Sequence, residues 1–200
     1  MAEAPEPGAV APATRLSVRS LVLIVAVAIV AYALDQGSKL FVTSSLPLGE
    51  AVPVLGQVLE FRYVKNPGAA FSLGVGYTWI FSIAAAGVVV FVLLFARKIR
   101  SARWALLFGM LLGGTLGNLT DRLFREPSFG QGHVIDFIQV WGFPAIFNVA
   151  DIFIVSSMVL FVLLTLLGVS LDGRRHASEA VAGSPTGSRE PEPPSGAEDR

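Results

Sequence analysis

The sequence contains no cysteine and only two histidines, His133 and His176. Disulfides, thiolate nucleophiles and thiolate-bound metals are excluded together, and two imidazoles are too few for an ordinary zinc set. Charge is also scarce: 15% of the residues are charged, and 15 Lys and Arg balance 15 Asp and Glu. Without a net basic field there is nothing to hold nucleic-acid phosphates, and that class of partner is discarded. Any chemistry is expected to need no metal and no cofactor.

What the chain has in abundance is apolar surface. Hydrophobic residues make up 53% of the sequence and the mean hydropathy is +0.64, more than a soluble chain of 200 residues hides from water. The apolar residues fall into four blocks, 20–34, 78–96, 104–119 and 152–171. Two of them reach the roughly 20 residues of a spanning helix, and the two shorter ones qualify if each helix continues into its polar flank. Helices are therefore expected at about 20–36, 78–96, 104–123 and 150–171, in a membrane unit covering 19–171. Residues 1–18 are rich in Ala, Pro and Glu, and 172–200 in Gly, Ser, Pro, Glu and Arg, so both read as disordered tails.

The first block also has the shape of a cleaved secretory signal, with Arg15 and Arg19 ahead of an apolar core that ends in Ala31-Tyr32-Ala33. Asp35 and Lys39, four apart and so on one helix face, favour a retained helix that positions them. Arg15 and Arg19, then Arg97, Lys98, Arg100 and Arg103, then Arg174 and Arg175 mark three cytoplasmic regions, with both termini inside. The longer connections, 36–77 and 120–150, then face outward, although Lys39, Arg62, Lys65, Arg122 and Arg125 weaken the contrast. In the first of these, Val52-Pro53-Val54 and the partial alternation from Val58 to Val64 predict a small extramembrane sheet. Gly109, Gly113 and Gly117 recur every four residues, a stripe that admits a neighbouring helix.

Ionisable groups near bilayer depth cost about 2.5 to 3.5 kcal/mol each, so clusters of them require pairing or a function. Five polar clusters stand on the predicted outer side: 35–39, 66–71, 114–122, 134–137 and 147–151. Asp136 and Asp151 each sit among apolar residues, one in a strand-like run and one opening the fourth helix. Two carboxylates in one poorly solvated site share a proton. The ionised one then takes a proton from water as it attacks a peptide carbonyl, while the protonated one stabilises the tetrahedral oxygen. Residue type alone equally allows Asp151 as a plain helix cap and Asp136 as a solvated loop acid.

The other polar residues also have two readings. Asn118 and Arg122 share a helix face, Asn118 as a donor to the substrate backbone or the dyad and Arg122 as a buried cation pairing with Asp121 or a substrate headgroup, or merely as a polar helix end with an Asp–Arg clasp. Asp35 and Lys39 are either part of the site or a surface pair worth a few tenths of a kcal/mol. Ser38 and Lys39 are adjacent and point about 100° apart, which disfavours a Ser–Lys dyad. Ser72 with Lys39 or Lys65 has no motif, and His133 beside Asp136 reads first as a loop residue.

Taken in order, Asp35-Gln36-x-x-Lys39, Asn66-x-Gly68-x-x-Phe71, Gly113-Gly114-x-x-Gly117-Asn118-x-x-Asp121-Arg122, Val134-x-Asp136-Phe137 and Phe147-Asn148-x-Ala150-Asp151 resemble the motifs of the lipoprotein signal peptidase family, signal peptidase II. The resemblance covers about 21–167. It implies an all-α membrane protein of four transmembrane helices with a small extramembrane β-sheet cradle on the outer side. It implies an intramembrane aspartyl endopeptidase with Asp136 and Asp151 as the catalytic dyad. Asp35, Lys39, Asn66, Gly114, Asn118, Arg122 and Asn148 would support the site or bind substrate. The implied reaction is cleavage on the amino side of a diacylglyceryl-modified cysteine in a bacterial prolipoprotein, at the outer face of the inner membrane, with sensitivity to the cyclic peptide globomycin. Substrate and membrane lipid are the expected partners, and a monomer the expected unit, since one chain holds the whole constellation.

A small proton-coupled carrier is the rival reading, because intramembrane Asp, Lys and Arg also mark ion pathways. It predicts a midplane site and internal repeats, whereas these polar groups gather on one side and the two halves share no visible repeat. A non-catalytic assembly factor is the third reading, and it predicts that Asp136 and Asp151 tolerate Asn.

Overall fold

The computed structural model describes residues 17–68 and 77–172. Apart from Ser17, Val18 and Asp172, the expected tails lie outside the described residues, as do Phe71 and Ser72. Helix α1, Val18–Ser45, starts at Ser17, whose hydroxyl accepts from the Ser20 N–H at 3.3 Å. It runs beyond the expected end at 36, and its 28 residues extend about 42 Å, more than a hydrocarbon core of about 30 Å. The excess length carries Lys39 and Val42 toward a small sheet. Helix α2 is Thr78–Phe95, followed by a 3-10 turn at Ala96–Lys98, and α3 is Ala102–Phe124. Helix α4 is Val149–Leu166, ending at 166 rather than 171.

Length and apolarity qualify three of these helices to cross a membrane: α1, α2 with its following turn, and α4. Helix α3 differs because glycines, Asn118, Asp121 and Arg122 dilute its apolar content, and it packs against all three others. The others turn Val22, Ile29, Ile83, Val90, Val155 and Val159 outward. That arrangement is costly in water and suits lipid.

The glycine stripe of α3 sets the helix spacing. A Cβ on Gly109 would stand 2.7 Å from the Val27 Cβ, one on Gly113 2.6 Å from the Ala28 carbonyl oxygen, and one on Gly114 2.6 Å from the Ala150 carbonyl oxygen. Gly114 therefore lets the first turn of α4 rest on α3. Gly114→Ala is expected to cost about 1–3 kcal/mol through overpacking. A thermal melt in detergent checks this, and an unchanged midpoint would show that α4 shifts freely.

The connection after α1 holds β1, Ala51–Leu55, and β2, Leu59–Asn66, and β3, Val134–Val140, follows α3. They form one antiparallel sheet in the order β1-β2-β3. The sequence predicted the first two strands and a strand-like run at Asp136, and β3 is that run, paired to complete the sheet. Its register sets Val64 opposite Asp136 and Asn66 opposite Val134. Val42, Tyr63, Ile135 and Phe137 form a small core where α1 meets this sheet, separate from the bundle core around Ile24, Val92, Leu107 and Leu112.

Candidate active site

Five elements, α1, β2, α3, β3 and α4, converge at the junction of bundle and sheet. Asp136 comes from β3 and is 3% exposed, so it is not a solvated loop acid. Asp151 lies in the first turn of α4, where Asn148 is the N-cap. The two form a capping box: the Asn148 side-chain oxygen accepts from the Asp151 N–H at 3.0 Å, and Asp151 Oδ2 accepts from the Asn148 N–H at 3.1 Å. Asp151 Oδ1 accepts from Asn118 Nδ2 at 2.9 Å. One carboxylate thus caps its helix and also faces the site, so the capping and functional readings coexist.

Asn148 links the two acids. Fully buried, its Nδ2 donates to Asp136 Oδ1 at 2.7 Å and lies 3.0 Å from Asn118 Oδ1. The other oxygen of Asp136 accepts from Asn66 Nδ2 at 2.8 Å. Burial, reinforced by the nearby Asp151 charge, pushes the Asp136 carboxyl up to about 7 despite the Asn66 and Asn148 donors. Both aspartates open onto an apolar cleft of about 440 Å³ whose walls include Phe143, Ile146, Phe147, Ile152 and Val155.

A second layer of charge supports the first. Lys39 is fully buried and donates to Asp35 Oδ2 and Asp121 Oδ2, both at 2.8 Å, and to Asn118 Oδ1 at 3.0 Å. Three acceptors take up its three N–H bonds, which fixes the side chain in place. The Asp35–Lys39 pair is therefore not a surface pair. Asp35 Oδ1 accepts from the Ala150 N–H at 2.9 Å, tying α1 to the first turn of α4. Asp121, which the sequence reading left outside the site, also accepts from Arg125 Nε at 2.6 Å and from the Ile135 N–H at 3.2 Å. It fixes β3 beside the bundle. Its signal was the helical spacing Gly117, Asp121, Arg125.

The expected Asp121–Arg122 pair does not form, because neighbours on a helix point about 100° apart. Arg122 instead donates from Nη2 to the Gly68 carbonyl at 2.6 Å and lies over the Phe81 ring at 5.3 Å, with Nη1 lacking a hydrogen-bond partner among the described residues. Ser38 donates to the Asp35 carbonyl of its own helix at 2.8 Å, leaving no Ser–Lys pair there. His133 lines a different cleft with Lys65 and Arg125, and burial followed by the Lys65 and Arg122 charges pushes its pKa down. Among the described residues no three His, Asp or Glu side chains gather as a metal site.

Of the expected site residues, Asp35, Lys39, Asn66, Asn118, Asp136, Asn148 and Asp151 thus join one connected polar network, Gly114 packs beneath it, and Arg122 stands at its edge. Similar architecture occurs in solved structures described as bacterial membrane enzymes. One aligns with a TM-score of 0.64 at 25% identity, covering 82% of this chain and 94% of that one. A second gives 0.59 at 26% identity, covering 74% and 92%. Curated relatives carry the name lipoprotein signal peptidase: that of Leifsonia xyli is 57% identical over 87% of this chain and 82% of its own. The Streptomyces griseus protein is 46% identical over 79% and 80%, and that of Mycobacterium tuberculosis 43% over 86% and 83%. The family model described as signal peptidase (SPase) II matches residues 27–167. Because that stretch contains the whole network from Asp35 to Asp151, the chain belongs to the signal peptidase II family.

Proposed function

We propose that this chain is a membrane-embedded aspartyl endopeptidase that removes signal peptides from diacylglyceryl-modified prolipoproteins, cutting on the amino side of the lipidated cysteine. The observation that carries the reading is Asn148, whose side chain and backbone hold Asp136 and Asp151 together at the mouth of an apolar cleft. The cleft accepts the apolar signal segment and the lipid, and the acids meet the scissile bond. Family membership supports the substrate class.

The pair carries one proton, resting on Asp136. Asp151 takes a proton from the attacking water while Asp136 hydrogen-bonds the carbonyl oxygen and stabilises its developing charge. Proton return to the amide nitrogen then breaks the C–N bond, leaving a signal peptide carboxyl and a free amine on the lipidated cysteine. Asn66, Asn118 and Asn148 orient the carboxylates, and Lys39 with Asp35 and Asp121 holds the helices that carry them. Arg122 Nη1 remains as a donor for the substrate.

In this reading all four helices cross the bacterial inner membrane, with α3 shielded at the centre. Both termini are cytoplasmic, the dyad faces outward, and a monomer suffices. The test is cleavage of purified diacylglyceryl-modified prolipoprotein in detergent with a chelator present. Cleavage only of the lipid-modified precursor is expected, and indifference to the modification would sink the substrate assignment.

The pH profile tests the chemistry separately. With the Asp136 carboxyl near 7, its proton is present at lower pH and lost as pH rises through that value. kcat/KM should therefore fall on the alkaline side from about pH 7. A profile flat across that region would remove Asp136 as the acid.

A further inference from the structure

The bundle has a second cleft, of about 380 Å³, far from the aspartates. Its wall is apolar, built from Phe91 and Phe95 of α2, Trp104 and Phe108 of α3, Phe161 of α4 and Leu171. It arises because α2 and α4 each pack on α3 and not closely on each other. Ring centroids 5.3 Å apart in Phe91–Phe95, 5.7 Å in Phe95–Phe108 and 5.9 Å in Trp104–Phe161 brace the wall. The Trp104 Nε1–H donates to the Val169 carbonyl at 2.9 Å, so Trp104 offers the cleft only ring surface. About 21 Å of α3 separates Trp104 from Asn118.

Cations gather beside this cleft, where α2 ends and α3 begins. Arg97, Lys98, Arg100 and Arg103 are exposed, Lys98 Nζ stands 5.2 Å over the Phe95 ring, and the Arg100 N–H donates to the Leu171 carbonyl. Among the described residues no carboxylate forms a salt bridge with Arg97, Lys98 or Arg103. We propose that this cleft binds an anionic phospholipid, with an acyl chain along the aromatic wall and the phosphate between Lys98 and Arg103. A lipid of that charge matches both halves of the site: the volume falls in the range of small-molecule pockets, and basic side chains at a membrane surface attract acidic headgroups. A signal segment matches only one half, since its basic leading region would meet like charge beside the cleft. The site rests on membrane insertion and is independent of the peptidase reading.

Trp104 supplies the probe. With Trp79→Phe and Trp141→Phe in place, the full chain is reconstituted into phosphatidylcholine vesicles. A minor fraction of the lipid is then replaced by phosphatidylglycerol, or by phosphatidylcholine, brominated on the acyl chains. Brominated phosphatidylglycerol is expected to quench Trp104 at a lower mole fraction than brominated phosphatidylcholine. Lys98→Gln with Arg103→Gln should weaken that preference about twenty-five-fold, at about fivefold for each cation. A thermal melt of the same variant reports that it folds. Equal quenching by both lipids, or an unchanged preference in the neutralised variant, would overturn the site. Quenching abolished by a saturating signal peptide would also overturn it, by assigning the cleft to the signal segment.

Discussion

Asp136→Asn and Asp151→Asn should each reduce prolipoprotein cleavage by about ten-thousandfold or more, because each removes one partner of a proton transfer that neither can perform alone. An amide cannot take a proton from water, and it cannot cycle a proton to the carbonyl oxygen. Each substitution also turns an NH2 toward an existing donor, since Asp136 accepts from both Asn66 and Asn148, and Asp151 from both Asn118 and the Asn148 N–H. That local mismatch costs about 1–3 kcal/mol and should lower the thermal midpoint without unfolding the bundle. Rate and stability therefore need separate measurement, by cleavage in detergent with a chelator and by a melt of the same preparations. Folded variants that cut at the wild-type rate would end the dyad reading, and the carrier and assembly-factor readings would move ahead of it.

Lys39→Met should produce the largest stability loss of any single change around the site. The methionine keeps much of the side-chain length but leaves the Asp35 and Asp121 carboxylates facing each other in a site that is fully buried. Breaking a buried ion pair from one side costs about 3–5 kcal/mol. Arg125 relieves Asp121 only in part, since it touches the other oxygen. Adding Asp35→Asn to Lys39→Met removes one stranded charge, so the double variant should melt above the single one. Equal midpoints for wild type and Lys39→Met would show that the buried triad contributes nothing to stability. Cleavage should fall in the same variant, because Lys39 also holds the oxygen of Asn118 whose amide nitrogen donates to Asp151.

The carrier reading loses ground on geometry. Its expectation is a polar site near mid-bilayer between repeated halves, whereas the network here is anchored on β3 and the N-terminus of α4, beside the sheet. The Lys39 side chain is fixed by three acceptors, an arrangement that serves structure.

The sequence by itself determined the apolar segments: the blocks at 78–96 and 152–171 are long and lack charge, and the shorter block at 20–34 lacks charge and reaches spanning length once its helix continues into the polar flank. It also determined the close approach along α3, since glycines four apart lie on one helix face, and the candidacy of Asp136 and Asp151, since acids among apolar neighbours are costly without a purpose. Tertiary structure alone decided what those acids touch. Asp35 bonds the N–H of Ala150, 115 positions away, and Asn66 bonds Asp136, 70 positions away. No local period encodes such pairs. The same holds for Asp121 and Arg122: as neighbours in sequence they looked like a clasp, yet helix geometry sends one to Lys39 and the other to Gly68. Periodicity fixes which face a side chain occupies, but its partner is chosen only when another element packs against that face. The network therefore became visible only where α1, β2, α3, β3 and α4 meet.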